Sequence, residues 1–223
     1  MITSDKCYEN LGISRGYRED DRLGGEDPYS ASKACAEIAC SAYYRSFFCY
    51  QNKTRLAMVR AGNVIGGGDW AVDRLVPDFV RSILKGKKLI IRNPHAVRPW
   101  QHVLEPLYGY LLLAEKLYSH PGKYTGAWNF GPKRSDTRTV EWLAKKLCAL
   151  WGEAGFSLDK KRQPHETGFL MLDASKAKKH LGWEPKWDLA TGLAKIVEWT
   201  RAYQVGEKMS EVCWRQIEEY TIG

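Results

Sequence analysis

The chain has 223 residues, 44% of them hydrophobic, which is enough for one large core or about one and a half ordinary domains. No apolar run approaches the roughly 20 residues of a membrane-spanning helix, and residues 1–6 lack the profile of a signal peptide. The net charge of +8 is spread over runs such as Lys160 to Arg162 and Lys176 to Lys179, mixed with acids, which favours a solvated surface over a nucleic-acid interface.

The cysteines and histidines show no spacing typical of a metal site or a disulfide framework. The six cysteines form no CxxC pair, and the five histidines form no HExxH motif. We therefore predict no bound metal, and free thiols of the kind that persist in a reducing cytoplasm.

Two polar clusters open the chain. The first is Thr3-Ser4-Asp5-Lys6, and the second lies in Asp27-Pro28-Tyr29-Ser30-Ala31-Ser32-Lys33, where the proline suits the start of a helix predicted to run to about Phe48. Tyr29 and Lys33 are four residues apart and therefore share one face of that helix. An ammonium at this spacing favours the phenolate form of the tyrosine, which could then take a proton from an alcohol.

The rest of the chain alternates predicted strands and helices. Arg55 to Arg60 is a predicted buried strand, and the glycine-rich stretch from Ala61 to Asp69 is a predicted loop at its carboxyl end. Further strands are predicted at Leu89 to Ile91 and Ala127 to Phe130. Further helices are predicted at Leu75 to Leu84, Val103 to Tyr118, Val140 to Trp151, Ser175 to Leu181, Leu189 to Tyr203 and Ser210 to Tyr220. The alternation predicts an α/β fold with a mainly parallel sheet, in which ligands lie at the carboxyl ends of the strands.

A strand that ends at Ser4 would be the first strand of such a sheet. A parallel sheet that starts there would expose an apolar edge, which natural proteins avoid. We therefore expect the sequence to be incomplete relative to its fold, or to need a partner piece.

Several longer stretches occur in the order found in nucleotide-sugar 4,6-dehydratases, and the chain resembles that family of extended short-chain dehydrogenases/reductases over essentially its whole length. The most specific stretches are Arg60 to Trp70, Ile91 to Pro94, Arg98 to Val103, Trp128 to Gly131 and Leu181 to Pro185. The resemblance implies that residues 1–70 are the C-terminal portion of an NAD-binding Rossmann domain, whose glycine-rich loop would precede residue 1. Residues 71–223 would mainly form a smaller α/β nucleotide-sugar-binding domain, with some segments returning to the Rossmann sheet.

The resemblance also implies an activity. Such enzymes oxidise C4 of the sugar with NAD, remove water across C5 and C6, and return the hydride to C6. The Thr3 to Lys6 cluster fits the branch that acts on CDP-glucose, so the implied product is CDP-4-keto-6-deoxyglucose. Tyr29 would take the C4 hydroxyl proton, Ser4 would hydrogen-bond the same oxygen, and Asp5 would protonate the departing C6 hydroxyl.

Lys6 admits two catalytic roles. In the related dTDP-glucose dehydratases a glutamate at this place is the base for the C5 proton, and a lysine can act so only when deprotonated. Alternatively, a charged Lys6 stabilises the developing enolate while another group takes the proton.

The remaining ligand contacts also come from the resemblance. Tyr29, Lys33 and Ala61 would contact NAD, with the lysine holding the ribose hydroxyls. Asn63 and Arg98 would bind the diphosphate, because a planar guanidinium suits phosphate. The other implied substrate contacts are Arg92, His165 and Glu166. The family further implies a cytoplasmic homodimer that serves synthesis of bacterial surface polysaccharide such as O-antigen.

Three other functions stay open at this point. A nucleotide-sugar 4-epimerase shares Tyr29 and Lys33 but has no need of Asp5 or Lys6. A catalytically inactive sugar-nucleotide-binding or dimerisation fragment would bind CDP without turnover. Nucleic-acid binding rests on the net charge alone.

Overall fold

The computed structural model describes residues 1–51, 54–120, 122–152, 154–159 and 170–222. Its described residues divide into two compact units, each assembled from three stretches of chain. The first unit draws on Met1–Asn63, Glu105–Pro132 and Thr167–Pro185, and the second on Val64–Leu104, Lys133–Glu166 and Lys186–Gly223. Within the described residues, every helix is too short or too polar to cross a membrane.

The chain forms eight α-helices and seven strands within the described residues. The helices are α1 (Pro28–Tyr43), α2 (Cys49–Gln51), α3 (Leu75–Leu84), α4 (Leu104–Ser119), α5 (Val140–Trp151), α6 (Ser175–Leu181), α7 (Leu189–Gln204) and α8 (Met209–Ile222). The strands are β1 (Ala57–Ala61), β2 (Asn63–Ile65), β3 (Leu89–Ile91), β4 (Val97–His102), β5 (Gly126–Phe130), β6 (Thr137–Thr139) and β7 (Phe156–Leu158). Helix α1 continues into a π-helical turn, Tyr44–Phe48.

In the first unit, β1 and β5 pair in parallel, in the register that places Ala61 opposite Phe130. Residues 1–3 run beside β1, since Ile2 forms a parallel bridge with Val59 and Thr3 N donates to the Val59 carbonyl at 2.9 Å. All five residues of β1 are buried, as expected for a strand covered on both faces. The core around β1 and β5 includes Val59, Leu113, Trp128, Phe130, Leu181 and Trp183.

In the second unit, β4 lies between β2 and β6 in a three-stranded sheet. Strands β4 and β6 are antiparallel, with Arg98 opposite Arg138, and β3 pairs with β7 in parallel. Helices α3, α5 and α7 bury their apolar faces in one core, which includes Phe79, Leu89, Leu143, Leu147, Leu193 and Ile196.

The α/β class and the parallel pairing of β1 with β5 confirm the prediction from the alternating pattern. Helices α3, α5 and α6 and strand β3 have the predicted bounds, and α4, α7, α8 and β5 differ from them by one or two residues at an end. The predicted first helix is confirmed as α1 and the π-helical turn that follows it.

Three local predictions were wrong. Strand β1 begins at Ala57 instead of Arg55, because its backbone pairing with β5 starts with Ala57 opposite Gly126. The predicted loop from Ala61 to Asp69 contains strand β2. Strand β4 was not predicted as a strand, since it contains a proline and three polar residues instead of an alternating apolar pattern.

Candidate active site

Ser4, Asp5 and Lys6 form one hydrogen-bonded polar turn. The Ser4 hydroxyl caps the short 3-10 turn Asp5–Cys7, because it accepts from Lys6 N at 3.2 Å and donates to Asp5 Oδ1 at 2.9 Å. Lys6 Nζ lies 3.5 Å from Asp5 Oδ2, and the carboxylate is buried while the ammonium is partly exposed. The Asp5 side chain therefore contacts the side chains of both Ser4 and Lys6, the other two catalytic candidates of this turn.

Tyr29 projects from the first turn of α1, which Asp27 caps. The Asp27 carboxylate accepts from Tyr29 N at 2.9 Å and from Ser30 N at 3.0 Å, and the Ser30 hydroxyl that donates to it holds the pKa of Asp27 below its usual value. This cap satisfies the free N–H groups at the start of the helix. The Tyr29 side chain lies outside the core, with 54% of the residue exposed.

Lys33 lies one turn after Tyr29 on the same helix. Its Nζ is 5.7 Å from the centre of the Tyr29 ring, so the phenol and the ammonium are neighbours, as their spacing predicts. Among the described residues, neither the Tyr29 hydroxyl nor the Lys33 ammonium makes a hydrogen bond or an ion pair. Both groups are thus available to a ligand, and the three N–H donors of the lysine suit a ligand with neighbouring hydroxyls.

Helix α1 packs against the Asp5–Cys7 turn. The five candidate catalytic residues, Ser4, Asp5, Lys6, Tyr29 and Lys33, thus all belong to the first unit of the fold. A phenol beside a cation and a hydroxyl beside a buried carboxylic acid together supply groups that accept and donate protons. The arrangement suits chemistry at a hydroxyl-bearing carbon and its neighbours.

Two further titratable side chains follow the polar turn and are buried. Burial raises the pKa of the Cys7 thiol to about 12, and burial likewise raises the pKa of the Tyr8 phenol above its usual value. The Tyr8 hydroxyl donates to Asn129 Oδ1 at 2.8 Å and accepts from Arg60. Both groups therefore stay protonated at neutral pH.

The residues that the resemblance assigned to ligands fall in both units. Ala61 is buried at the end of β1, and Asn63 begins β2, so both lie at the carboxyl end of a parallel strand. Arg92 and Arg98 belong to the second unit. His165 and Glu166 lie outside the described residues.

The two arginines have different surroundings. Arg92 Nη1 is 3.0 Å from Asp73 Oδ1 in an exposed ion pair, which contributes little to stability. Arg98 is half-buried on β4, where its Nη1 donates to the Val97 carbonyl at 3.0 Å. It stands directly across the ladder from Arg138, whose guanidinium lies 5.3 Å from the centre of the Trp142 ring. Two facing arginines concentrate positive charge on this ribbon.

The glycine-rich stretch after β2 has a packing explanation. Gly67 lies against the indole of Trp199 on α7, and Gly68 has a φ of 79°, in the left-handed region. Trp199 in turn stacks on Tyr203 with ring centres 5.5 Å apart. These contacts belong to the second unit and account for both glycines without a ligand.

Sequence reasoning missed the buried charged pair behind the polar turn. Glu37 on α1 and Arg60 on β1 form a bidentate ion pair with two N–O distances of 2.9 Å. Two signals could have found it: Glu37 follows Lys33 by one helical turn, and Arg60 is a charged residue inside an apolar strand.

No group of three or more His, Cys, Asp or Glu side chains that could hold a metal ion is found in the part of the chain that the structure describes. All six cysteines are free thiols.

Comparison with known proteins gives a consistent family. The sequence profile of the GDP-mannose 4,6 dehydratase family matches residues 1–196. The chain is 51% identical to the CDP-glucose 4,6-dehydratase of Salmonella typhimurium, over 98% of this chain and 62% of that protein. The chain thus spans a little under two thirds of the length of this relative.

Solved structures show the same fold at lower identity. The dTDP-glucose 4,6-dehydratase of Streptomyces venezuelae, solved with NAD and TYD bound, matches with a TM-score of 0.74 and 24% identity, over 93% of this chain and 61% of that one. The UDP-glucose 4-epimerase of Thermotoga maritima, solved with UDP-glucose, matches with a TM-score of 0.76 and 24% identity, over 91% and 62%. Both are Rossmann-type enzymes, and at this identity they establish the fold alone.

Proposed function

This chain belongs to the GDP-mannose 4,6 dehydratase family, and from that premise we propose that it acts in the NAD-dependent dehydration of CDP-glucose to CDP-4-keto-6-deoxyglucose. The packing of α1 on the Asp5–Cys7 turn carries the proposal, because it joins an alcohol-oxidising pair to an acid that can release water. The similarity to the Salmonella enzyme supports CDP-glucose as the substrate.

NAD fits the side chains that α1 presents. Lys33 would donate to the hydroxyls of the nicotinamide ribose, and Tyr29 and Ala61 would lie beside the ring. When bound, NAD supplies the hydride acceptor for C4 and the hydride donor for C6. The exposed phenol of Tyr29 supports this assignment, as does the Lys33 ammonium, which has no hydrogen-bond or ion-pair partner among the described residues.

Tyr29 and Ser4 would act on the sugar at C4. Tyr29 would take the hydroxyl proton as the hydride leaves, with the Lys33 ammonium beside its ring. Ser4 would donate a hydrogen bond to the same oxygen. The Ser4 hydroxyl is held within the turn by its contacts with Asp5 and with Lys6 N.

Asp5 and Lys6 would carry out the elimination. Asp5 protonates the hydroxyl that leaves C6, and its burial in the turn keeps water away from the acid. Lys6 either takes the C5 proton in its neutral form or stabilises the enolate in its charged form. Its Nζ lies 3.5 Å from Asp5 Oδ2, so either role would be exercised beside the proposed acid.

The nucleotide would be held mainly by the second unit. Arg98 is our candidate for the diphosphate in the second unit and Asn63 in the first, and Arg92 would lie near the cytosine or its ribose. His165 and Glu166 would contact the sugar nucleotide. We propose accordingly that residues 1–70 belong to the cofactor-binding Rossmann domain and that residues 71–223 mainly bind the nucleotide sugar, with some segments returning to the Rossmann sheet.

We also propose a homodimer in the cytoplasm, serving synthesis of surface polysaccharide such as O-antigen. Helices α1 and α4 of the first unit expose large apolar side chains, which support an interface between copies. These are Ile38, Tyr43, Leu107 and Leu111. Six free thiols support a reducing compartment.

The test is turnover of CDP-glucose by the purified chain with NAD, followed by NMR of the sugar, with CDP binding measured in parallel. A C6 methyl group beside a C4 ketone is the expected product. Conversion to CDP-galactose would instead indicate a 4-epimerase, and CDP binding without turnover would indicate an inactive binding fragment. Failure to bind CDP would contradict the proposal.

A further inference from the structure

The side chains of Glu37 and Arg60 form a buried ion pair in the first unit. Their side chains are 1% and 3% exposed, respectively. Arg60 Nε donates to Glu37 Oε1 and Arg60 Nη2 to Glu37 Oε2, both at 2.9 Å, which is the bidentate geometry that fixes two planar groups against each other. Glu37 lies on α1, one helical turn after Lys33.

The same carboxylate also holds both ends of the polar turn. Thr3 Oγ1, immediately before Ser4, donates to Glu37 Oε1. Cys7 Sγ, immediately after Lys6, lies 4.0 Å from the same oxygen. One carboxylate of α1 thus contacts the residues on either side of Ser4, Asp5 and Lys6.

Arg60 extends the contacts to the sheet. It lies on β1, its Nη1 donates to the hydroxyl of Tyr8, and its guanidinium is 4.7 Å from the centre of the Tyr8 ring. Tyr8 donates to Asn129 on β5 at 2.8 Å. The pair therefore joins α1, the polar turn and both strands of the parallel sheet.

Stability alone does not explain such a pair. Replacing a buried ion pair by apolar residues of similar volume is often neutral or stabilising, because two charges are costly to remove from water. What an apolar pair lacks is directional contact, and here the directional contacts run between the two elements that carry the reactive groups.

We propose that Glu37 and Arg60 are positioning residues, which fix the register of α1, with Tyr29 and Lys33, against the turn that carries Ser4, Asp5 and Lys6. That these groups are catalytic rests on the proposed function. That the ion pair holds α1 against the turn is independent of the proposed function.

Chemical labelling of cysteines tests whether the ion pair holds α1 against the turn, and it requires no enzymatic turnover. Cys7 is fully buried beside Glu37, whereas Cys148 is buried on α5 in the second unit and serves as an internal control. The chain and its variants Glu37→Gln and Arg60→Met are treated with iodoacetamide, and alkylation of each cysteine is followed by peptide mass spectrometry. Glu26→Gln, at an exposed glutamate before α1, is the matched control variant.

In both variants, the rate of alkylation of Cys7 is expected to rise about tenfold or more, while that of Cys148 stays the same. The reason is that only the contact between α1 and the Asp5–Cys7 turn opens locally. Glu37 raises the pKa of the Cys7 thiol and Arg60 lowers it, so the two substitutions move this pKa in opposite directions. Faster labelling in both variants therefore reports opening instead of electrostatics. Unchanged protection of Cys7, or an equal rise at Cys7 and Cys148, would overturn the proposal.

A second measurement covers the case in which a single variant does not fold. The double variant Glu37→Met with Arg60→Met removes both charges and is expected to fold. Its kcat on CDP-glucose should fall at least about tenfold while its affinity for CDP is unchanged. A double variant with native kcat would overturn the proposal. If the unchanged chain shows no turnover, the proposed function fails and the labelling result still decides whether the ion pair holds α1 against the turn.

Discussion

The backbone of Gly67 touches the indole of Trp199, so that a Cβ atom at this position would lie 2.3 Å from Trp199 Cγ. No real Cβ is found so close to another atom, and the indole cannot retreat easily because it stacks on Tyr203 and meets Trp70 edge-on. The contact pins the loop after β2 to helix α7.

Substitution Gly67→Ala is therefore expected to lower the free energy of unfolding by about 1–3 kcal/mol, the usual cost of overpacking. Urea denaturation, followed by tryptophan fluorescence, measures this free energy of unfolding. Gly155→Ala is the matched control, since a Cβ there would meet nothing closer than 3.9 Å, at Lys88, and should be neutral. A Gly67→Ala chain as stable as the parent would show that the indole moves freely.

His102 makes the second unit sensitive to acid. Burial, aided by the charge of Lys195, lowers the pKa of His102 to about 4. Its Nδ1 accepts from Leu104 N at 3.3 Å, and its ring packs on Trp187, so the neutral form fits the fold. Since the folded pKa is below the unfolded value of 6.5, the unfolded chain binds more protons between these two values.

Stability should accordingly fall as the pH drops from 6.5 towards about 4, with a loss of about 2 kcal/mol near pH 5 from this group. The variant His102→Asn keeps an acceptor near Nδ1 and cannot be protonated. Its unfolding free energy, measured by denaturant titration at several pH values, should depend less on pH in this window. An equally steep dependence would assign the acid sensitivity to other groups.

Tyr29→Phe removes the proposed base and leaves the helix intact. Turnover of CDP-glucose should fall roughly 10²- to 10⁴-fold, the usual contribution of a general base, while the affinity for CDP stays the same. Tyr43→Phe, which removes an exposed hydroxyl from the end of α1, is the control and should be fully active. Equal activity of the two variants would remove Tyr29 from the mechanism.

Asp5→Asn separates oxidation from elimination. The amide cannot protonate the C6 hydroxyl, so water loss should slow by about 100-fold or more, whereas oxidation at C4 continues. Reduced NAD should then accumulate during the reaction and be visible by its absorbance. The control is Asp20→Asn, at an exposed carboxylate before α1, which should turn over CDP-glucose like the parent without accumulating reduced NAD. Loss of oxidation together with elimination would indicate a wider role for Asp5.

Arg98→Ala should weaken CDP binding by about tenfold or more, because a charge-assisted hydrogen bond to phosphate contributes roughly 1.5–3 kcal/mol. Arg98→Lys should recover part of the affinity, since lysine keeps the charge and loses the planar fork. Calorimetry measures both, with Arg215→Ala on α8 as a control for net charge. Native affinity in Arg98→Ala would place the diphosphate elsewhere.

Local signals in the sequence were sufficient for many features. The four-residue spacing of Tyr29 and Lys33 predicts their contact on α1, and amphipathic periodicity predicts α3 and α5 with their observed ends. Long-range contacts could not be predicted in this way. Arg60 meets Glu37 across 23 residues and Tyr8 across 52, and no local pattern selects these partners. Strand β4 was missed because its antiparallel pairing with β6, not its own composition, makes it a strand.

The division of each unit into three stretches of chain has a consequence for folding during synthesis. Strand β1 leaves the ribosome well before β5, its parallel partner, and before α6, which completes the same core. The hydrogen bond from the Tyr8 hydroxyl to Asn129 likewise forms only after β5 has been synthesised. The early segment therefore emerges with an apolar strand and a half-formed polar network, and it depends on later residues to become native. Slow translation or a pause before β5 would expose this strand to aggregation, and chaperones that bind extended apolar segments would protect it.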